Sequence, residues 1–241
     1  MFRADIDGRA LTFFHTNMVT VNMTFADRET RTRWQQETGE AIDGPLSGRR
    51  LDIYPFLITT WKAWRERHPE TLVMEPVPGF EEMYENMWRA IQTRTPDRAG
   101  PPADRIRRED PRLPAYEPIV GLEAGGAKRA YPLEVLKKEL VVNDQLGGEL
   151  VLLIYTPMSD TVTVFSRNLD GRTLSFERHP QSGDLVDVQT GSRWNAYGEC
   201  VEGEFRGSRL EALIGMPQFW WAWAAFYAGT DIYAGKGVPP K

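Results

Sequence analysis

Alternating apolar and polar positions around paired turn residues dominate the chain. Asp7-Gly8 and Asp170-Gly171 each stand between short alternating runs. An Asp-Gly pair in that setting predicts a two-residue hairpin, because a type I′ turn needs positive φ at its centre. Around the second pair the predicted strands are Thr161–Phe165 and Arg172–Phe176, and Gly125-Gly126 predicts another hairpin joining Ile119–Glu123 to Lys128–Tyr131. After Gly147-Gly148, Glu149–Tyr155 is apolar almost throughout. Such a run marks a strand covered on both faces. Pro132–Lys138 reads as a short helix with proline at its first position. Thr60–Arg67 reads as a helix with Trp61 and Trp64 on one face. Phe80–Gln92 reads as a third, with Met83, Met87 and Ile91 at four-residue spacing. The expected class is therefore α+β, mainly antiparallel β, with short flanking helices.

The elements recur. Met1–Phe13 aligns with Val164–Phe176, Asp27–Trp34 with Asp187–Trp194, Gly44–Leu51 with Gly203–Leu210, and Thr60–Thr71 with Phe219–Thr230. The blocks keep their order and are identical at 18 of 41 aligned positions. A tandem duplication is the expectation: one repeat over residues 1–93, a Pro-rich linker over 94–115, and a second repeat over 116–235. The linker reading rests on Pro96, Pro101, Pro102, Pro111 and Pro114, a density that excludes helix interior and central strand. An irregular arm packed on the surface is the equal alternative. The copies also differ. Tyr116–Thr163 precedes the aligned region in the second copy, whereas the first begins inside the unit, Met1 aligning with Val164. In the second copy the last helix, Phe219–Tyr227, is apolar all round, which predicts burial on both sides or a homo-oligomer formed through it.

Composition narrows the chemistry. The chain has 241 residues, 41% apolar and 26% charged, with formal net charge -5. This excludes wholesale disorder and a general phosphate-binding surface, so no nucleic-acid partner is expected. The single cysteine, Cys200, allows no intramolecular disulfide and no cysteine-based zinc site. It falls in a predicted turn beside Glu199 and Glu202, which disfavour a reactive thiolate. No signal peptide is visible at the N-terminus. No membrane span is expected, since Pro217 and Gln218 interrupt the apolar stretch Ala212–Gly229.

The second copy carries a series of spaced motifs: Ile119-Val120-Gly121-Leu122-Glu123, Arg129-Ala130-Tyr131-Pro132-Leu133, Val142-Asn143-Asp144, Tyr155-Thr156-Pro157-Met158-Ser159 and Thr190-Gly191-Ser192-Arg193-Trp194. This resembles the bacterial family known as domain of unknown function 3179, some members of which are selenoproteins. The first copy resembles that family's second half through Asp27-Arg28-Glu29-Thr30, Trp34, Thr38-Gly39-Glu40, Gly44-Pro45-Leu46 and His68-Pro69-Glu70-Thr71. The resemblance implies a Tyr-Cys-Pro-Leu-Cys motif after the buried strand, with selenocysteine possible at a cysteine position. Here Thr156 and Ser159 stand in those places and supply neither redox chemistry nor a soft-metal ligand. Thr156 and Ser159 are thus degenerate redox-motif positions, and the second copy reads as chemically silent. Two origins are open for the short first copy. One is an upstream in-frame UGA read as a stop, with a reactive residue and any export signal before Met1; the other is an ordinary deletion or an assembly break.

Other candidates are weak. His15 and His179 follow the same hairpin at near-equivalent positions and are the remaining site candidates. His68 precedes a proline at a helix end, where capping is natural. The carboxylate pairs Glu81-Glu82 and Glu202/Glu204 offer acid–base chemistry, but no spacing singles one out. No metal and no cofactor are expected. The reading is a non-catalytic binding or scaffold chain related to a thiol/selenol redox or metal-handling family; the alternative is a hydrolase using unidentified carboxylates.

Overall fold

The computed structural model describes residues 1–19, 22–92 and 110–238. In the first half, β1 (Asp5–Ile6) and β2 (Arg9–Ala10) form a hairpin across Asp7 and Gly8, at φ +50° and +74°. An antiparallel meander follows: β3 (Phe13–Val19), β4 (Asn22–Asp27), β5 (Arg33–Gln35) and β6 (Ala41–Asp43). Its core is small: Ile6, Leu11, Trp34, Ala41 and Leu51. Irregular chain then leads to α1 (Trp61–Arg67) and α2 (Glu81–Gln92). Thr60 Oγ1 caps α1 by accepting from the Ala63 N–H at 3.3 Å.

The second half is larger. β7 (Pro118–Ala124) and β8 (Ala127–Pro132) form a hairpin across Gly125-Gly126. Next come α3 (Leu133–Glu139), β9 (Val141–Leu146), β10 (Glu149–Thr156) and β11 (Thr161–Ser166). β10 is the centre of the three-stranded sheet β11-β10-β9, and Val151 through Ile154 are fully buried. Its alternation feeds two cores: Val151, Leu153 and Tyr155 enter one, Leu152 and Ile154 the other. The next hairpin is β12 (Asn168–Leu169) with β13 (Arg172–Thr173), followed by the meander β14 (Phe176–Arg178), β15 (Leu185–Asp187), β16 (Arg193–Trp194) and β17 (Cys200–Glu202). The predicted strand Arg172–Phe176 is therefore split. Leu174, fully buried, separates two sheets and plugs the core beneath them. Finally β18 (Gly215–Phe219), α4 (Trp220–Phe226) and β19 (Asp231–Ile232) complete the sheet β18-β7-β8-β19, in which β19 runs parallel to β8.

One set of contacts occurs in both halves. The turns at Asp7-Gly8 and Asp170-Gly171 match in φ, at +50° and +74° against +50° and +81°. Trp34 donates its indole N–H to Asp27 at 2.9 Å, and Trp194 donates to Asp187 at 3.0 Å. Gly44 is pressed against Thr32, and Gly203 against Ser192. The helices α1 and α4 each start at a tryptophan. Each has a second tryptophan donating to a threonine at 2.9 Å, Trp64 to Thr71 and Trp223 to Thr230. Each of those indoles also lies against the ring of the helix's last residue or cap, His68 at 4.3 Å and Tyr227 at 3.8 Å.

Their surroundings differ. Trp220 and Trp223 are buried against the sheet beneath α4, where Gly121 leaves room for the Trp223 ring. Trp61 and Trp64 of α1 are partly exposed. In α4, Trp220, Ala222, Trp223 and Ala224 are buried, while Trp221, Ala225 and Phe226 are half-buried. The helix packs within its own half, although Phe226 reaches the cleft described below. Of the proline-rich stretch, residues 93–109 lie outside the described residues. Asp110 and Arg112 pack on α4: the Asp110 carbonyl accepts from Trp220 Nε1 at 2.8 Å, and the Arg112 guanidinium lies over the Trp220 ring. Ion pairs and hydrogen bonds tie the halves together. Arg67 reaches Glu199 at 2.8 Å and lies over the Tyr197 ring at 4.0 Å. Thr161 Oγ1 donates to Thr59 Oγ1 at 2.9 Å.

Candidate functional site

The Tyr155–Ser159 stretch sits in the connection from β10 to β11. Thr156 ends β10 directly opposite Thr161, and Pro157–Ser159 form a single 3₁₀ turn. Asp160 follows in the left-handed region at φ +47°. Its carboxylate accepts from the Tyr155 hydroxyl at 2.7 Å, and that phenol is pushed up to about 12 by burial and by the Asp160 charge. Thr156 Oγ1 is buried with no hydrogen-bond partner among the described residues, Ser159 is buried, and Met158 is 95% exposed. Neither hydroxyl can cycle between thiol and disulfide, since both positions carry oxygen in place of sulfur.

The histidines do not meet. His15 lies inside β3, not after a strand, and pairs with Phe25. His179 follows β14, where its Nδ1 accepts from the Ser182 N–H at 3.3 Å. With Phe13 and Phe176 as equivalents, His15 corresponds to Arg178 and not to His179, so the near-coincidence of the two histidines in the alignment carries no shared position. Cys200 is not in a turn. It begins β17, is buried, and donates its thiol to the Glu202 carbonyl at 3.3 Å. Burial is the largest influence on that thiol and pushes it up. Glu81 and Glu82 lie on exposed α2, and Glu202 and Glu204 are taken up by Arg193 at 2.5 Å and Arg172 at 2.6 Å. Among the described residues, no three His, Cys, Asp or Glu side chains gather as a metal ion requires.

The richest constellation was not singled out by sequence. A cleft of about 530 Å³ opens between the halves, lined by Arg33, Gln35, Thr38, Glu40 and Arg50 from the first and by Glu123, Lys128 and Tyr227 from the second. Val19, Ile42 and Phe226 give it an apolar rim. Arg33 is held by Asp43 at 3.0 Å. Arg50 donates its Nε–H to the Thr38 carbonyl at 2.8 Å and stands 3.7 Å from Glu123. The Lys128 ammonium lies over the Tyr227 ring at 5.6 Å. Beside the cleft Glu37 accepts from Gln218 Nε2 at 2.9 Å. Burial pushes the Glu37 carboxyl above the ordinary range, with the Gln218 hydrogen bond pulling the other way. Burial likewise raises the Tyr227 phenol, and the Glu37 charge adds to it. Guanidinium, ammonium and carboxylate groups thus line one space large enough for a small molecule. No single-sequence signal points here, because its residues come from strands paired only by the tertiary fold.

Fold and site together describe a small-helix, antiparallel-sheet α+β protein with a mixed-charge cleft and no thiol chemistry in its motif turn. The protein-family match is to the proteins of unknown function designated DUF3179, over residues 1–230, and the chain belongs to that family. The match runs through both halves and the segment between them. No curated protein and no solved structure matches the chain. No helix among the described residues is long and apolar enough to cross a membrane.

Proposed function

We propose that this chain is a non-catalytic binding module, its two halves (residues 1–93 and 116–235) derived from one duplicated unit, with a seat for a small polar ligand in the cleft between them. The cleft carries the proposal: both halves contribute charged side chains of both signs to one cavity, and Arg50 and Lys128 flank the Glu123 side of it. The recurring Trp–Asp and Trp–Thr contacts support descent from one unit. The family's thiol or selenol chemistry, implied by resemblance, is absent from this turn because Thr156 and Ser159 replace its chalcogens. The test is thermal-shift screening against amino acids, dicarboxylates and sugar acids. A ligand that stabilises the wild type and fails to stabilise Arg50→Ala and Lys128→Ala supports the assignment. Stabilisation unaffected by both changes removes the cleft from consideration.

A second reading rests on Glu37. A carboxyl held above its usual range beside a cavity that also presents Glu40 and Glu123 has the makings of a general acid. Hydrolysis of model acyl or glycosyl substrates, lost in Glu37→Gln, would move the protein into the hydrolase class.

A further inference from the structure

Among the described residues, α2 and the chain leading into it carry a run of exposed large apolar side chains. Along the helix Phe80, Met83, Tyr84, Met87 and Trp88 recur at three- and four-residue spacing, which sets them on one face. Glu81, Glu82, Glu85, Asn86 and Arg89 occupy the rest of the circumference. A one-sided stripe of this kind ordinarily meets a core. Here every side chain from Phe80 to Arg89 is exposed, Trp88 at 57% and Met87 at 56%. Leu72 and Met74 just before it are at 95% and 88%. A large aromatic side chain offers roughly 150–250 Å², and methionine is of similar size, so the helix stripe alone leaves on the order of 500 Å² uncovered. Adding Leu72, Val73, Met74 and Val77 brings the exposed area of the two segments to about 1,000 Å².

We infer that this face is the interface of a homodimer, α2 and residues 72–77 of one copy packing on the same elements of a second. The available area exceeds the roughly 800 Å² per partner that a stable complex buries. A self-complementary stripe closes with two-fold symmetry and leaves no open end. The occupant is protein and not a bilayer surface, because the polar side of the helix carries Glu81, Glu82 and Glu85 against Arg89 alone. Carboxylates there repel anionic headgroups, whereas membrane-surface helices carry lysine and arginine. The interface is independent of the cleft between the halves, so it stands or falls apart from the ligand assignment.

The test is the solution mass of the full chain, by light scattering and sedimentation from low to high micromolar concentration. The expected result is twice 27.5 kDa. Met83→Glu with Met87→Glu is expected to give the monomer, weakening dimerisation at least tenfold. The thermal transition of that variant is then expected to lose its dependence on protein concentration while keeping its far-ultraviolet circular dichroism. A wild-type monomer across the range overturns the inference. A dimer that survives the double substitution places the interface elsewhere and overturns it too. A third outcome also rejects it: a monomer that binds phosphatidylcholine vesicles through the same residues.

Discussion

The indole N–H of Trp34 reaches Asp27 Oδ2 at 2.9 Å, and both residues are fully buried. The same carboxylate takes the Thr30 N–H at 2.5 Å and the Thr30 hydroxyl at 3.0 Å. One acidic side chain thus closes the β4–β5 turn and anchors the largest ring of the first core. Burial opposes its charge, yet the hydrogen bonds from Trp34 and Thr30 outweigh burial and hold the carboxyl below its usual range.

A stability prediction follows from that sign. A depressed carboxyl contributes stability above its unfolded value, near 3.8, and loses it as pH falls through the lower folded value. Asp27→Ala leaves the buried indole N–H unpaired and should cost about 2–4 kcal/mol. Chemical denaturation of this variant at pH 7 and pH 3 is expected to differ from wild type by less at the lower pH. Asp187→Ala should cost a similar amount at neutral pH, since Trp194 and Thr190 make the equivalent contacts. A loss below 1 kcal/mol in both would contradict the anchoring role.

Much of this scaffold is legible along the chain, and the reason is local. Asp7-Gly8 and Asp170-Gly171 need positive φ, so two residues specify the turn. The continuous apolar run of β10 announces coverage on both faces, and Val151–Ile154 are covered on both. The stripes of α1 and α2 are equally legible, but periodicity says which residues share a face and not what covers it. Trp61 and Trp223 carry the same kind of helical signal and differ from 50% to 0% in exposure, because α4 packs on the sheet through Ile119 and Ala130. The cleft was illegible for a related reason: Arg50 and Glu123 meet only after two separate halves have folded and docked.

The packing of α4 gives a second prediction. A Cβ at Gly121 would overlap the six-membered ring of Trp223, which is fully buried and donates to Thr230 Oγ1 at 2.9 Å. Gly121→Ala must displace α4 from β7, at about 1–3 kcal/mol of overpacking. A lowered Tm with a changed tryptophan emission spectrum is the expected outcome, and an unchanged spectrum would show that the ring is not seated there.

Thiol chemistry gives a third. Cys200 is buried and its thiol pushed up by burial, so Ellman's reagent should react with the native protein only at the rate of unfolding. Thr156→Cys with Ser159→Cys places two thiols around Pro157 and the exposed Met158. That variant is expected to oxidise to an intramolecular disulfide, blocking two of its three thiols without dimerising. Failure to oxidise would mean that this turn lacks the geometry for the pair.

The last prediction concerns Glu37, where the sign reverses. Burial raises its folded carboxyl above the ordinary 4.5, against the hydrogen bond from Gln218. A raised acid contributes stability that is full below its unfolded value and is lost as pH rises through the folded value. On ionising, the carboxylate would sit in a half-buried site with Gln218 as its hydrogen-bond donor. Glu37→Gln keeps an oxygen able to accept from Gln218 and removes the charge. The variant should therefore match the wild type near pH 4 and exceed it at pH 7, shifting Tm upward by a few degrees, in the range expected for roughly 1 kcal/mol in a chain of this size. Gln218→Ala should do the opposite at pH 7, removing the donor that the carboxylate uses. Parallel pH–Tm curves for wild type and Glu37→Gln would show that Glu37 ionises without penalty, removing the electrostatic basis of the hydrolase reading while leaving the binding cleft intact.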